Sequence, residues 1–336
     1  MSVTVIVPSH YCIYAAKTVE DLFEKASGDI EVIVVCDGYW PDPMIKEHKN
    51  LVIIHRDPPL GMRQGINCAA KIATGKFLMK CDDHCMFEQG FDEALQKDIN
   101  EGEVHVPSRW SFDPDKWERG HIGPTEYMYM TFPYEKDNMF GMGLHGKKWL
   151  GNVNSLGKTS FYYYENARKD IKIDEIISTQ GSCWFMHKSD FFRWGCLDEV
   201  HSFLIHQEPQ EIAFKAWLSG GRMVVNKNTW YAHWHKNFIK RGIRMSKNAQ
   251  YATEQYGTWY WMHDLWPLAT RKIGWLIDKF LPMPGWSVDW RDYQVKYELE
   301  HPEFGKDFVP KVFDPNGVDG LPTTVQGVSY WAPKQP

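Results

Sequence analysis

A lysine, two acids, an imidazole and two thiols are packed into Lys80-Cys81-Asp82-Asp83-His84-Cys85, directly after the apolar run Phe77-Leu78-Met79. Such a run reads as a strand, and a strand end is where open α/β sheets bind their ligands. Alternation along an extended chain sends Asp82 and His84 to one side, so an O donor and an N donor can hold one divalent ion. An ion held there by few protein ligands suits a diphosphate, whose oxygens and water fill the remaining positions. Two other readings attach to the same residues. An acidic turn after a strand can cap the next helix. Cys81, His84 and Cys85 also offer zinc ligands, although no second ligand pair stands nearby in sequence.

The elements that must position these residues are legible upstream. Apolar runs over Val3 to Pro8, Glu31 to Cys36 and Leu51 to His55 read as strands. Helical patterns run from Tyr14 to Ala26 and from Met62 to Ala73, the second ended by Thr74-Gly75. Strands and helices in alternation imply a mostly parallel central sheet with right-handed crossovers. The near-continuous apolar runs imply strands covered on both faces.

Downstream the composition shifts. Residues 1–105 form the βα part, and residues 106–236 are rich in aromatics, glycine and histidine. In that middle stretch, short strands are expected at Tyr127 to Phe132 and Cys183 to Met186, and a helix at Glu211 to Leu218. Residues 237–336 hold many Trp, Tyr and Pro; a helix around Ser246 to Trp261 and then a tail wrapped over the body are expected there. Neither repeats nor low-complexity segments are visible.

With 336 residues and 43% apolar content, the chain can bury a sizeable core as one large domain or two smaller ones. A net charge of -5 offers no overall attraction to nucleic acid or anionic membrane, so such contact requires a local patch. Seven cysteines without paired spacing imply a reducing compartment. No secretory leader and no apolar run of membrane-spanning length is seen, so a cytoplasmic protein is expected.

Several stretches resemble one family. Val5-Ile6-Val7-Pro8-Ser9-His10-Tyr11, Val34-Val35-Cys36-Asp37-Gly38, Gly61 through Asn67 to Gly75, and Asp82-Asp83-His84 resemble, in order and spacing, the nucleotide-sugar domain of family 2 type glycosyltransferases with the GT-A fold. Gly181-Ser182-Cys183-Trp184-Phe185-Met186, then Glu208, Glu211 to Gly221 and His233-Trp234-His235-Lys236 look like the second half of that catalytic domain. The Asp-x-His-Cys form with a later histidine is especially similar to polypeptide N-acetylgalactosaminyltransferases. The resemblance covers residues 3–236 and implies a nucleotide-sugar-binding half (1–105), an acceptor-facing half of the same domain (106–236), and a basic flap with an aromatic-rich C-terminal extension (237–336).

The resemblance assigns roles. Pro8, Ser9 and Asp37 line a uridine pocket, and Arg63 and Asp83 lie beside the nucleotide or its diphosphate. Asp82, His84 and His233 complete a metal shell, with His235 as the neighbouring alternative, and mixed O and N ligation suits Mn²⁺ better than Mg²⁺. The donor implied is a nucleoside-diphosphate sugar, UDP-sugar by analogy. Inverting members carry an acidic pair whose Asp is the general base, and here Pro209 occupies that place. Glu208 is the substitute, with Glu211 in a structural or acceptor-orienting role, while a retaining mechanism needs no such base. The alternative for Glu208-Pro209 is a helix start, and Trp184 either stacks on sugar or acceptor or belongs to the core.

Lys236, Lys240, Arg241, Arg244 and Lys247, with Phe238, form a basic stretch after His233. It reads as a flap closing on the donor diphosphate or as a grip on the phosphates of a polymer acceptor, modified DNA bearing a hydroxymethylated base. A bacterial glycan or small-molecule acceptor is the alternative. A nucleotidyltransferase is disfavoured because no Gly-rich loop follows Val3 to Val7. A non-catalytic nucleotide-sugar-binding protein would have lost a metal ligand, and all three candidates are present.

Overall fold

The computed structural model describes residues 2–121, 123–134, 144, 146–148, 168–199, 207–235 and 247–307. The first part follows the sequence closely: β1 (Val3–Ser9), α1 (Ala15–Lys25), β2 (Glu31–Asp37), β3 (Leu51–Arg56), α2 (Met62–Ile72) and β4 (Phe77–Cys81). β1 pairs in parallel with β2 and with β4, and β2 pairs in parallel with β3. α1 buries Ala15, Ala16, Val19 and Leu22, a spacing of three and four that turns one stripe to the sheet. α2 opens at Gly61, whose φ of 86° suits glycine.

Beyond β4 the chain builds β5 (Cys85–Phe87), α3 (Phe91–Lys97), β6 (Glu103–Asp113), β7 (Glu118–Arg119), β8 (Met128–Met130), β9 (Gly146–Lys148), β10 (Ile173–Glu175), β11 (Cys183–His187), α4 (Lys188–Arg193), α5 (Glu208–Leu218) and β12 (Arg222–His233). The large sheet runs β10-β12-β6-β11-β4-β1-β2-β3, with β5 added to β12 and β7 to β6. β11 enters antiparallel between β4 and β6, whereas β12 lies parallel to β6. The result is an α/β, mostly parallel sheet of the GT-A type. The strand expected at Tyr127 to Phe132 is confined to Met128–Met130, and β6 has no counterpart in the sequence reading.

The two faces of the sheet carry separate apolar layers. Val5, Val7, Met79, Cys81 and Phe185 pack toward α1 and α3, while Ile6, Leu78 and Trp184 pack with α2 and α5. The helix read at Glu211 starts three residues earlier, at Glu208, and every residue of α5 is buried.

Three helices follow: α6 (Lys247–Met262), α7 (Ile273–Phe280) and α8 (Trp290–Glu300). The first agrees with the helix expected around Ser246 to Trp261, and two more helices stand where a wrapped tail was expected, while residues 308–336 lie outside the described residues. Ile273, Leu276, Ile277 and Phe280 make an apolar stripe that docks α7 on the α5 side of the core. No helix among the described residues is long and apolar enough to cross a membrane.

Candidate active site

β4 delivers the site. Its even-numbered side chains, Leu78 and Lys80, face the α5 side, while Met79 and Cys81 enter the opposite apolar layer. The strand ends at Cys81, and residues 82–84 form a turn, so Asp82 and His84 meet through that turn and not through strand alternation. The Asp82 N–H donates to Ser182 O at 2.9 Å, which pins the turn to the start of β11.

β5 then runs back antiparallel to the end of β12, with His233 opposite Cys85. This pairing carries His233 to residues 151 positions away: its Nε2 lies 3.1 Å from Asp82 Oδ2. His84 Nε2 lies 3.9 Å from the same oxygen. Asp82, His84 and His233 thus present donor atoms that all lie within 4.8 Å of one another. His235 is exposed and beyond the strand, its ring 6.2 Å from that of His233.

The protonation states suit a cation. Burial pushes the His233 imidazole down to about 3, so the ring is neutral, with Nε2–H donating to the Asp82 carboxylate; an ion at Nε2 would require the tautomer protonated on Nδ1. Burial works against the Asp82 charge, yet Lys80 and His233 hold its carboxyl well below the ordinary range. Contact between Asp82 and His233 is therefore that of an anion with a neutral ring and not an ion pair.

Behind His84 stands a chain of support. The Asp83 carboxylate meets His84 Nδ1 at 2.6 Å through one oxygen and accepts from Ser9 Oγ at 2.6 Å through the other. Ser9 Oγ also bonds the Tyr39 hydroxyl. A carboxylate on Nδ1 fixes the ring orientation and turns the Nε2 lone pair outward, the arrangement typical of metal-binding histidines. By this test the residues fit a divalent ion. Cys12, Asp83 and His84 form a second set of close donors. A neutral imidazole has one lone pair, however, and a proton on Nδ1 shared with Asp83 commits that lone pair to the Asp82 side. Cys81 and Cys85 are wholly buried in the apolar layer and belong to neither set, which removes the zinc reading.

A second carboxylate cluster adjoins the first. Trp184 sits opposite Lys80 in the β4–β11 register, and its indole N–H donates to Glu208 Oε1 at the start of α5. Gly181, at φ 76°, gives Glu208 its space: a Cβ there would collide with Glu208 Oε2. Burial raises the Glu208 carboxyl above its ordinary value, against the pull of Lys80, Trp184 and Arg63. Lys80 is itself 1% exposed. Its Nζ donates to Asp82 Oδ1 and to Gly181 O, each at 2.6 Å. Burial disfavours its charge, but Asp82 and Glu208 outweigh that and keep the ammonium protonated. The sequence reading quoted Lys80 without a role; its sign was a lysine two positions before an acid in an otherwise apolar strand.

Several expectations are corrected. Of the two roles left open for Trp184, its full burial favours the core one, with its indole N–H holding Glu208. Arg63 is 5% exposed and pairs with Glu211. Glu211 also meets Lys215 at 2.6 Å and accepts the Asp198 N–H at 2.8 Å. Burial would raise its pKa, but Lys215 and Arg63 hold it below the ordinary value, which favours the structural of its two roles over the acceptor-orienting one. Asp37 accepts the Leu60 and Gly61 N–H groups, both at 2.8 Å, and pairs with Arg56 at 2.5 Å, so both its oxygens are engaged within the protein. The Ser9 hydroxyl faces Asp83, while Pro8 is half-buried opposite Val35. The basic stretch 236–246, with the flap reading it carried, lies outside the described residues.

A family model described as Glycosyl transferase family 2 matches residues 4–191. No curated relative matches the chain. Among solved structures, one titled as GalNAc-T7 with UDP, GalNAc and Mn²⁺ is similar at a TM-score of 0.57 and 14% identity, covering 91% of this chain and 56% of that one. S. aureus TarS is similar at a TM-score of 0.49 and 15% identity, covering 84% of this chain and 43% of that one. A TarS 1-349 complex with UDP-GlcNAc gives 0.47 and 13%, covering 90% and 81%. The chain thus spans about half the length of the first two.

Proposed function

Because the chain belongs to glycosyl transferase family 2, we propose that this glycosyltransferase takes its sugar from a uridine-diphosphate donor. In this reading a divalent ion, Mn²⁺ in preference to Mg²⁺, is held by Asp82, His84 and His233. The observation that carries it is the convergence of one carboxylate oxygen and two imidazole nitrogens, with Asp83 and Ser9 fixing one of the rings. Mixed O and N donors favour Mn²⁺, the ion in the GalNAc-T7 structure, which also holds UDP. When bound, such an ion neutralises charge on the departing diphosphate.

The chain's own residues do the rest. Asp82 and the two histidines orient the diphosphate at the end of β4, where the turn at 82–84 meets β11 and β12. Glu208, whose raised pKa places it nearer neutrality, takes the proton of the acceptor hydroxyl as that oxygen bonds to the sugar carbon and the diphosphate leaves. Trp184 and Gly181 hold Glu208 in place. The hydroxymethylated DNA base is an acceptor reading that rests on the basic stretch after His233 alone, and no described feature adds to it.

Calorimetry of UDP with and without Mn²⁺, for the wild type and Asp82→Asn, tests the donor half. UDP binding should require the metal, and the variant should lose more than the ~10–100-fold that an outer metal partner is worth. Binding indifferent to both metal and Asp82 would overturn the reading.

A further inference from the structure

The two imidazoles of the proposed ion site are held unequally. His84 has a carboxylate behind it, since Asp83 meets its Nδ1 at 2.6 Å. His233 has no counterpart: its Nδ1 is buried and finds no hydrogen-bond partner among the described residues. A histidine that ligates through Nε2 carries its proton on Nδ1 and almost always donates it to a carboxylate, a carbonyl or a water.

A second orphan stands on the neighbouring strand. Arg109 of β6 lies opposite Tyr231 of β12, and His233 follows two residues on, so the three side chains leave the sheet on one side. Arg109 is 7% exposed, and its Nη2 is buried without a hydrogen-bond partner among the described residues. Burial acts against its charge, and the groups that favour that charge are Tyr231 and Cys85. Burial holds both of these neutral at ordinary pH. The carboxylates of the site are engaged elsewhere: Asp82 with Lys80 and His233, Asp83 with His84 and Ser9, Glu208 with Trp184. A guanidinium keeps its charge in a protein interior, and a buried charge without a partner is costly. The Arg109 charge also reaches His233, where it helps to keep the imidazole unprotonated.

We propose that Arg109 and His233 together form a site for a small monovalent anion of the chloride kind, bound when His233 ligates the divalent ion. This rests on the reading of Asp82, His84 and His233 as the ion site. With Nε2–H donating to Asp82, Nδ1 presents a lone pair, which repels an anion. For Nε2 to ligate, one proton leaves it and one joins Nδ1 by exchange with solvent, and the ring stays neutral. Nδ1–H and the Arg109 guanidinium are then two donors on one side of the sheet. An anion that accepts from both does for His233 what Asp83 does for His84, and it cancels the buried charge of Arg109. Burial sets its size. Neither Nη2 nor Nδ1 touches solvent, so a phosphoryl group tethered to a donor at the strand end does not reach them, whereas a single-atom anion can be enclosed. A buried water would satisfy the two donors but leave the guanidinium charge uncompensated. By linkage the anion and the divalent ion raise each other's affinity by one common factor.

The test is Mn²⁺ calorimetry in potassium chloride and in potassium methanesulfonate of equal ionic strength, on wild type, Arg109→Met, Arg109→Lys and Asp82→Asn, with thermal melts to confirm folding. Wild type should bind Mn²⁺ about 10–100-fold more tightly in chloride, the worth of an outer partner to a metal-bound histidine. Arg109→Met should bind it equally in the two salts, and Arg109→Lys should keep part of the chloride effect. Crystals grown with Mn²⁺ and bromide should show an anomalous peak beside Arg109 and His233. A wild type that binds Mn²⁺ equally in both salts overturns the proposal, and so does a chloride effect that survives in folded Arg109→Met. Asp82→Asn separates the two readings. If it binds Mn²⁺ as wild type does, the ion site itself is misplaced and the anion site falls with it; if it loses Mn²⁺ while wild type ignores chloride, the anion site alone is lost.

Discussion

Residues 1–105 of this molecule and the stretch that follows, to residue 236, are built by different rules. In residues 1–105, β1 to β4 come from chain segments joined by α1 and α2 and pair in parallel, so each strand finds a neighbour from its own half. In the second half, β11 is inserted antiparallel between β4 and β6, and β12 pairs with both β6 and β5. The chemistry lies at the seam. Asp82 and His84 come from the first half, and His233, Glu208 and Trp184 from the second. A local strand end supplies Asp82 and His84, and distant segments bring His233 and Glu208 to them.

Changes at the seam should therefore cost activity, and changes within residues 1–105 mainly local stability. Glu208→Gln should give the largest effect, lowering kcat by about 10²–10⁴-fold in a sugar-transfer assay while leaving Mn²⁺ and UDP binding intact. The wild-type pH profile sharpens this. Glu208 acts ionised and its pKa is raised by burial, so kcat/KM should fall as pH drops through a value above the ordinary carboxylate range. That acid limb should be absent from the residual activity of the variant. A Glu208→Gln enzyme of wild-type rate would leave Glu208 as a helix start only.

Arg63→Ala comes next. Arg63 on α2 and Glu211 on α5 are 148 positions apart, and both are buried. Removing Arg63 takes from Glu211 one of its buried partners while Lys215 remains at 2.6 Å, so denaturant unfolding should lose about 1–3 kcal/mol. A loss below ~1 kcal/mol, the range of an exposed pair, would mean that the two halves are not joined there. Asp37→Asn stays within residues 1–105. It weakens the hold on the Leu60 and Gly61 N–H groups and the pair with Arg56, and unfolding should register about 1–3 kcal/mol. If it instead abolished UDP binding with stability unchanged, Asp37 would belong to the nucleotide pocket after all.

What the sequence by itself determined is the run of strands and helices from β1 to β4 and the candidates for an ion at their end. Alternating apolar runs and helical stripes are local patterns, so β1 to β4, α1 and α2 were read within a residue or two of their ends. The types of Asp82 and His84 pointed to a cation, and His233 joined them only through the family resemblance. Only the tertiary structure decided how they meet: through a turn and the β5–β12 pairing, since a three-residue strand such as Cys85–Phe87 has too little periodicity to be seen alone. It also favoured the internal roles left open for Trp184 and Glu211 and paired Arg63 with Glu211, because burial and pairing are properties of the packed chain. Lys80 is the clearest case. In sequence it is one lysine in a strand, and only the placement of Asp82, Gly181 and Glu208 around it makes it the counter-charge of the site.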